Sequence, residues 1–203
     1  MSPFTPRDAE RFRGGVHGQL HDLLGSHPEP GGVRFAVWAP NAEAVSVIGS
    51  FNDWEAGAHP LTPRDDGSGI WEARVAAARS GDLYKYRLLA KGGGVTLDRG
   101  DPCARAFEAP PGSASRIWDL AYAWEDAEWL RERAARDAPE APQAVYEVHL
   151  GSWRRRVTET GSERMTYREL APALAEYAAE AGFTHVQLLP VMEHPDDASL
   201  GYQ

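Results

Sequence analysis

The chain has 203 residues, 42% of them hydrophobic and 25% charged, with a net charge of −9 and a pI near 5.3. These proportions are those of a chain that buries a core, far from the composition of disordered segments. The 21 basic residues are scattered apart from the run Arg154-Arg155-Arg156, so the sequence offers no basic face to nucleic acid, and no nucleic-acid partner is expected. The lone cysteine, Cys103, has no intramolecular partner for a disulfide, which suits a reducing compartment. The first fifteen residues lack an apolar leader core, and no stretch is long enough to span a bilayer; the expected setting is the cytoplasm, away from membranes. Cys103 sits in the loop-like DPCAR with no histidine close in sequence, and is not read as a nucleophile.

Residues 1–30 are polar and rich in Gly and Pro, and read as a lead-in in which Leu20, Leu23 and Leu24 could form one amphipathic turn. From Gly31 the texture changes. VRFAVWAP, AVSVIGSF, GIWEARVA, DLYKYRLLA and GVTLDRG are short β-branched and aromatic runs, separated by the turn clusters PNAE, RDDGSG, RSGD and KGGG. Val45 and Val47, and then Tyr84, Tyr86 and Leu88, alternate as in strands with one buried face. The spacing predicts an antiparallel, immunoglobulin-like β-sandwich over residues 31–118. In that reading Trp38 and Trp71 lie within strand runs and belong to the core.

Residues 119–143 read as a linker containing a helix, with a helical charge pattern from Trp124 and stops at Pro139 and Pro142. Residues 144–203 then hold an apolar run from Ala144 to Leu150, a helix with Leu170, Leu174, Tyr177, Ala178 and Ala181 on one face, and a second apolar run in FTHVQLLPV. Thr166 and Glu169 have capping-box spacing, and Gly182 suits a helix stop. Pro172 leaves two options: a helix from Thr166 that lacks one interior hydrogen bond, or regular helix only from near Pro172. The order β-α-β predicts parallel strands with a right-handed crossover. Two such strands and one helix do not close a core, so later chain or a partner is expected to complete it.

GGVRFAVWAPNAEAVSVIGSFNDW, GIWEARV and LYKYRL together resemble the N-terminal carbohydrate-binding sandwich of glycogen branching and debranching enzymes. AVYEVHLGSW, the following helix, FTHVQLLPVMEHP and GYQ resemble the first β-α-β of the (β/α)8 barrel of the α-amylase type, in the form found in 1,4-α-glucan branching enzymes. The resemblance covers roughly residues 20–203. It implies a retaining transglycosylation that cleaves an α-1,4 bond and passes the glucan chain to a 6-hydroxyl, without a cofactor or metal. Such chemistry needs a carboxylate nucleophile and a carboxylic acid roughly 5–5.5 Å apart, which the family carries after its fourth and fifth barrel strands. Both would lie beyond Gln203, and a whole barrel takes about 250 residues. The chain is therefore expected to be an N-terminal piece, inactive alone, with no catalytic residue of its own. Two other readings stay open: a stand-alone glucan-binding protein, and a piece of a debranching or trehalose-releasing hydrolase.

For site residues the resemblance implies Tyr202 as a sugar-facing aromatic in the parent enzyme, Trp54 of GSFNDW as a stacking platform, and Lys85 as a donor to sugar hydroxyls, the partner in each case being α-glucan. A second platform of related modules aligns near Val95, which has no ring to stack, and Leu200 stands where relatives carry tryptophan. Glu193, Asp196, Asp197 and His194 read as a solvated loop rather than a carboxylate pair or metal site, because a single histidine without a second ligand at diagnostic spacing does not define one. His149 and His185 read as hydrogen-bonded residues at strand edges, and Arg154–Arg156 as a solvated loop after the first strand of the β-α-β. The oligomeric state is not legible.

Overall fold

The computed structural model describes residues 3–92, 94–109, 111–192 and 200–202. The chain divides into two compact units, Met1–Ala121 and Tyr122–Gln203.

The first unit opens with helix α1 (Pro6–Arg13), followed by strands β1 (Gly25–Glu29), β2 (Gly32–Trp38), β3 (Ala42–Gly49), β4 (Thr62–Pro63), β5 (Ile70–Val75), β6 (Leu83–Ala90), β7 (Thr96–Arg99), β8 (Ala106–Phe107) and β9 (Ser115–Arg116). One sheet runs β1-β2-β5-β4 and the other β3-β6-β9-β8, with β7 also paired to β6. The pairings are antiparallel. Val33, Phe35 and Val37 of one sheet meet Val45, Val47, Tyr84 and Tyr86 of the other in a single buried cluster. The alternation legible in β3 and β6 is thus the inner face of a sandwich, as period-two burial requires.

β1 lies ahead of Gly31, inside the stretch read as a lead-in. SHPE carries no alternation to betray a strand, and it is held by antiparallel pairing to β2. The rest of the lead-in is also built. Thr5 caps α1 through a reciprocal capping box with Asp8, which satisfies otherwise orphaned backbone donors. Thr5 donates its backbone N–H and its hydroxyl to the Asp8 carboxylate, and with help from His17 these hold that carboxyl down at about 2. Phe4, Ala9, Leu24, Ala36 and Ile70 form a second apolar cluster, flanked by Phe12, Leu20 and Leu23.

The second unit contains α2 (Ala127–Arg136), β10 (Val145–Val148), α3 (Leu150–Trp153), β11 (Arg155–Thr158), β12 (Gly161–Arg164), α4 (Tyr167–Glu180) and β13 (His185–Leu188). α2 begins three residues after Trp124, at Ala127. β10 and β13 pair in parallel, Val145 opposite His185 and Val148 opposite Leu188. α4 starts after the Thr166 cap and continues past Pro172, which resolves the two options in favour of one continuous helix. The capping box supplies donors and acceptors at its first turn, while Gly182, at φ +79°, provides the left-handed residue of its C-terminal stop. There the Phe183 N–H reaches Ala178 O and the Gly182 N–H reaches Ala179 O, the pair of bonds that closes a Schellman motif. Leu170 and Leu174 of α4 pack with Val148 and Leu150.

Arg155 and Arg156 are not in a loop. They form β11 of a short antiparallel hairpin with β12. The Arg156 guanidinium pairs with Glu169 of α4, and Arg154 lies over the Trp153 ring, 4.6 Å from its centroid. The positive charges are thereby spent on local contacts.

Candidate functional site

The loop after β3 is the most strongly constructed feature of the sandwich. Gly49 ends the strand in extended conformation, and a Cβ there would sit 2.3 Å from Leu83 O and 2.7 Å from the Phe51 ring, so the position admits only glycine. Asn52 folds the loop back. Its Oδ1 accepts from Gly49 N–H at 2.8 Å and its amide nitrogen donates to Val47 O at 3.1 Å. Asp53 and Trp54 then both adopt left-handed backbone, at φ 51° and 59°. Neither is glycine, and such conformations cost of order 1 kcal/mol each. The surrounding hydrogen bonds hold them there, with the Trp54 N–H donating to Gly49 O at 3.0 Å. The result is an indole left 38% exposed on a braced turn.

Lys85 lies on β6 between the buried Tyr84 and Tyr86 and therefore points to the outer face of its sheet. It stands opposite Ile48, next to the Gly49–Tyr84 pair from which the Trp54 loop departs. Its ammonium donates to Ser113 Oγ at 2.9 Å. On the same face Arg87 makes two 2.7 Å bonds to Asp98, which hold the Asp98 carboxyl below its ordinary range. Trp54 and Lys85 thus belong to the same end of the β3-β6 pair. Val95 is exposed and offers no ring.

The remaining residues singled out in the sequence are placed as follows. Tyr202 is 74% exposed, in the second unit. Glu193, His194, Asp196 and Asp197 lie outside the described residues. His149 is half-buried with Nδ1 2.9 Å from Ser152 Oγ, and His185 has Nδ1 2.8 Å from Thr184 Oγ1. Trp71 is in the core, its indole N–H donating to Ala39 O at 3.0 Å. Trp38 is not: it is 55% exposed. It ends β2 on the face turned away from the second sheet, with its N–H donating to Ser68 O at 3.1 Å and its ring centroid 6.0 Å from that of Phe12.

Asp101, which the sequence did not single out, is buried. Its Oδ2 accepts from Tyr84 Oη at 2.7 Å and Tyr86 Oη at 3.1 Å, and its Oδ1 from Cys103 N–H at 2.8 Å. Burial pushes its carboxyl up, against these donors, and also raises the Cys103 thiol and both phenols. A protonated thiol is a poor nucleophile. Asp101 is a structural keystone of the two tyrosines; the signal that could have found it is two inward-facing tyrosines on one strand, whose hydroxyls must find acceptors.

Residues 23–104 match the model of carbohydrate-binding module 48 (Isoamylase N-terminal domain). Among solved structures, a Salmonella typhimurium protein described as an alpha amylase superposes with a TM-score of 0.62 at 25% identity, covering 88% of this chain and 26% of that one. A Klebsiella pneumoniae pullulanase complexed with maltotriose shares the fold at a TM-score of 0.56 and 24% identity, over 83% of this chain and 17% of that one.

The relationship in sequence is narrower, and it is with the glycogen branching enzymes. The chain is 50% identical over 202 residues to the 1,4-alpha-glucan branching enzyme GlgB of Aromatoleum aromaticum, covering 100% of this chain and 31% of that protein. It is 48% identical over 207 residues to that of Aquifex aeolicus, covering 100% and 32%. The chain spans about a third of the length of these relatives.

Proposed function

We propose that the chain forms the N-terminal part of a 1,4-α-glucan branching enzyme of the cytoplasm, with a sandwich that contacts α-glucan and a β-α-β that opens the (β/α)8 catalytic barrel. The observation that carries this is end-to-end identity of about half with GlgB enzymes. The parallel β10–β13 pair bridged by α4 agrees with the barrel reading, since parallel strands need a crossover and cover on both faces.

In this reading the whole enzyme cleaves an α-1,4 bond, holds the glucan on a carboxylate, and transfers it to a 6-hydroxyl. The nucleophile and acid come from chain after Gln203. Tyr202 would stand at the mouth of the second barrel strand, its ring meeting a sugar once the remaining strands surround it. Trp54 and Lys85 hold glucan at a distance from the chemistry: the indole takes the apolar face of a pyranose, and the ammonium bonds its hydroxyls.

The test is retention on immobilised glycogen together with a linkage assay. The purified chain is expected to be retained, to lose retention on Trp54→Ala, and to form no new α-1,6 linkages. Equal retention of both forms removes Trp54 as the platform, and measurable branching refutes the assignment of the catalytic carboxylates to later chain.

A further inference from the structure

The segment ahead of β10 holds its aromatic side chains in the open. Leu120, Tyr122 and Trp124 alternate with Ala121 and Ala123. The Tyr122 and Trp124 rings lie edge to face with centroids 4.9 Å apart, the same-side placement that extended backbone gives to residues two apart. Tyr122 is 64% and Trp124 76% exposed. Among the described residues, no backbone group of residues 122–125 enters a backbone–backbone hydrogen bond.

α2 continues the pattern in helical form. At about 100° per residue, Trp129, Leu130, Ala134 and Ala127 fall in one sector of the helix, and Glu128, Arg131, Glu132 and Arg136 in the other. A stripe of that kind is normally buried. Here every residue of α2 is exposed, Trp129 by 48% and Leu130 by 52%, and the Asp126 side chain caps no backbone donor. Its side chains meet one another instead: Arg133 lies over the Trp129 ring, 5.6 Å from its centroid, and Arg136 pairs with Glu132. Isolated helices shorter than about 12–15 residues are marginal in water. A ten-residue helix with nothing buried therefore needs a partner.

Area, position and length identify that partner. Tyr122, Trp124, Trp129 and Leu130 together expose roughly 500 Å², taking about 150–250 Å² for a whole aromatic side chain. That is less than the roughly 800 Å² per side of a stable association between separate molecules, whereas a tethered segment is held at an effective concentration set by its connection. Asp137, the C-cap of α2, has Oδ1 3.7 Å from Nε2 of His185, the first residue of β13. α2 thus ends beside a parallel pair whose Val145, Val186 and Leu188 are also exposed, and which calls for further chain to cover it. The relatives supply such chain: this sequence matches two of them over its whole length yet covers only 31% and 32% of theirs. We propose that Tyr122, Trp124 and the Trp129–Leu130 face of α2 form a docking surface for the later part of the same polypeptide, the part that also completes the β10–β13 pair. The proposal rests on the chain being the N-terminal part of a longer enzyme.

The experiment compares hydroxyl-radical oxidation of Tyr122, Trp124 and Trp129, located by mass spectrometry, in the 203-residue chain and in the whole enzyme, together with amide exchange of α2 and the linkage assay. In the chain the three rings should oxidise freely at every protein concentration, and α2 amides should exchange at close to unstructured rates. In the whole enzyme oxidation should fall about tenfold and α2 exchange about 100-fold. Trp129→Ser, at an exposed position, should leave the melting of the chain unchanged and restore fast α2 exchange in the whole enzyme. Rings as reactive in a whole enzyme that branches as they are in the chain refute the docking surface and leave the function standing. Shielded rings in a whole enzyme that forms no α-1,6 linkages keep the surface and overturn the function, and reactive rings without branching overturn both. Shielding in the chain that grows with its concentration assigns the surface to a second copy, and shielding produced by added maltoheptaose assigns it to sugar; either refutes the proposal.

Discussion

Replacing Asp101 by alanine should be the most damaging single change of a polar residue in the sandwich. The carboxylate accepts from three donors: the buried Tyr84 Oη and Tyr86 Oη and the half-buried Cys103 N–H. Tyr86 Oη retains a long 3.4 Å contact to Ala36 O, so two donors, Tyr84 Oη and the Cys103 N–H, lose the acceptor they now use. Each orphaned buried donor costs about 1–3 kcal/mol, which puts Asp101→Ala at roughly 2–6 kcal/mol, a large part of the 5–15 kcal/mol that holds a typical domain together. Asp101→Asn keeps an acceptor oxygen and should cost about half as much. Because the chain has two units, a single melting midpoint would mix them. Amide hydrogen exchange at Val47 and Tyr86, both in the sandwich core, reads the right unit. A cost below about 1 kcal/mol for Asp101→Ala would refute the network as a stabilising element.

The same residue sets a pH dependence whose sign follows from burial. Its folded carboxyl is raised above the ordinary value, so in the unfolded chain it loses its proton first, near about pH 3.9. Its contribution to stability is whole below that pH and declines as pH rises through the elevated folded value. Asp101→Asn does not titrate and escapes this decline. The stability advantage of wild type over Asp101→Asn should therefore shrink as pH is raised from about 3.5 towards 7. A difference that stays flat would show that the buried carboxyl is as easily ionised in the fold as in water, and one that grows would show that it is more easily ionised there.

Three further outcomes are expected. Gly49→Ala forces a methyl against Leu83 O and the Phe51 ring; it should cost about 1–3 kcal/mol as overpacking and displace Trp54, seen as lower thermal stability together with weaker glycogen retention. Glu169 accepts from the Thr166 N–H and hydroxyl, which hold its carboxyl at about 2; this support for α4 is present above the unfolded value near about 4.3 and lost as pH falls towards 2, so exchange of α4 amides should accelerate across that window, and Thr166→Ala, which removes the hydroxyl but keeps the N–H, should weaken the pH dependence and cost about 1 kcal/mol of cap stability. Val145, Val186 and Leu188 of the β10–β13 pair are exposed, and exchange in this pair should be orders of magnitude faster than in β3 and β6; equal protection would show that the pair does not depend on further strands.

The fold was legible where burial follows period. Val45, Val47, Tyr84 and Tyr86 alternate in sequence and are buried together, and the Thr166–Glu169 spacing marked the start of α4. β1 was not legible, because SHPE has no apolar alternation and is fixed by its partner strand rather than by its own residues. The β11–β12 hairpin failed for the same reason: its side chains are almost all exposed, so no hydrophobic pattern reports it.

Trp38 and Trp71 show where the sequence stops being informative. Both are tryptophans at strand positions within apolar runs, and they are paired close together across β2 and β5, Val37 opposite Trp71 and Trp38 opposite Ile70. Directly opposed residues share a face, so Val37 and Trp71 point to one side of the sheet and Trp38 and Ile70 to the other. Trp71 meets the second sheet and is buried. Trp38 faces the side covered by Phe4, α1, the Leu20–Leu24 turn and Cys103, cover that buries Ile70 but leaves Trp38 at the strand end half exposed. No local pattern carries that distinction, since it depends on how far a helix more than twenty residues earlier extends across the sheet. Trp54 differs in that its exposure is imposed locally, by Gly49, Asn52 and two left-handed residues within six positions of one another.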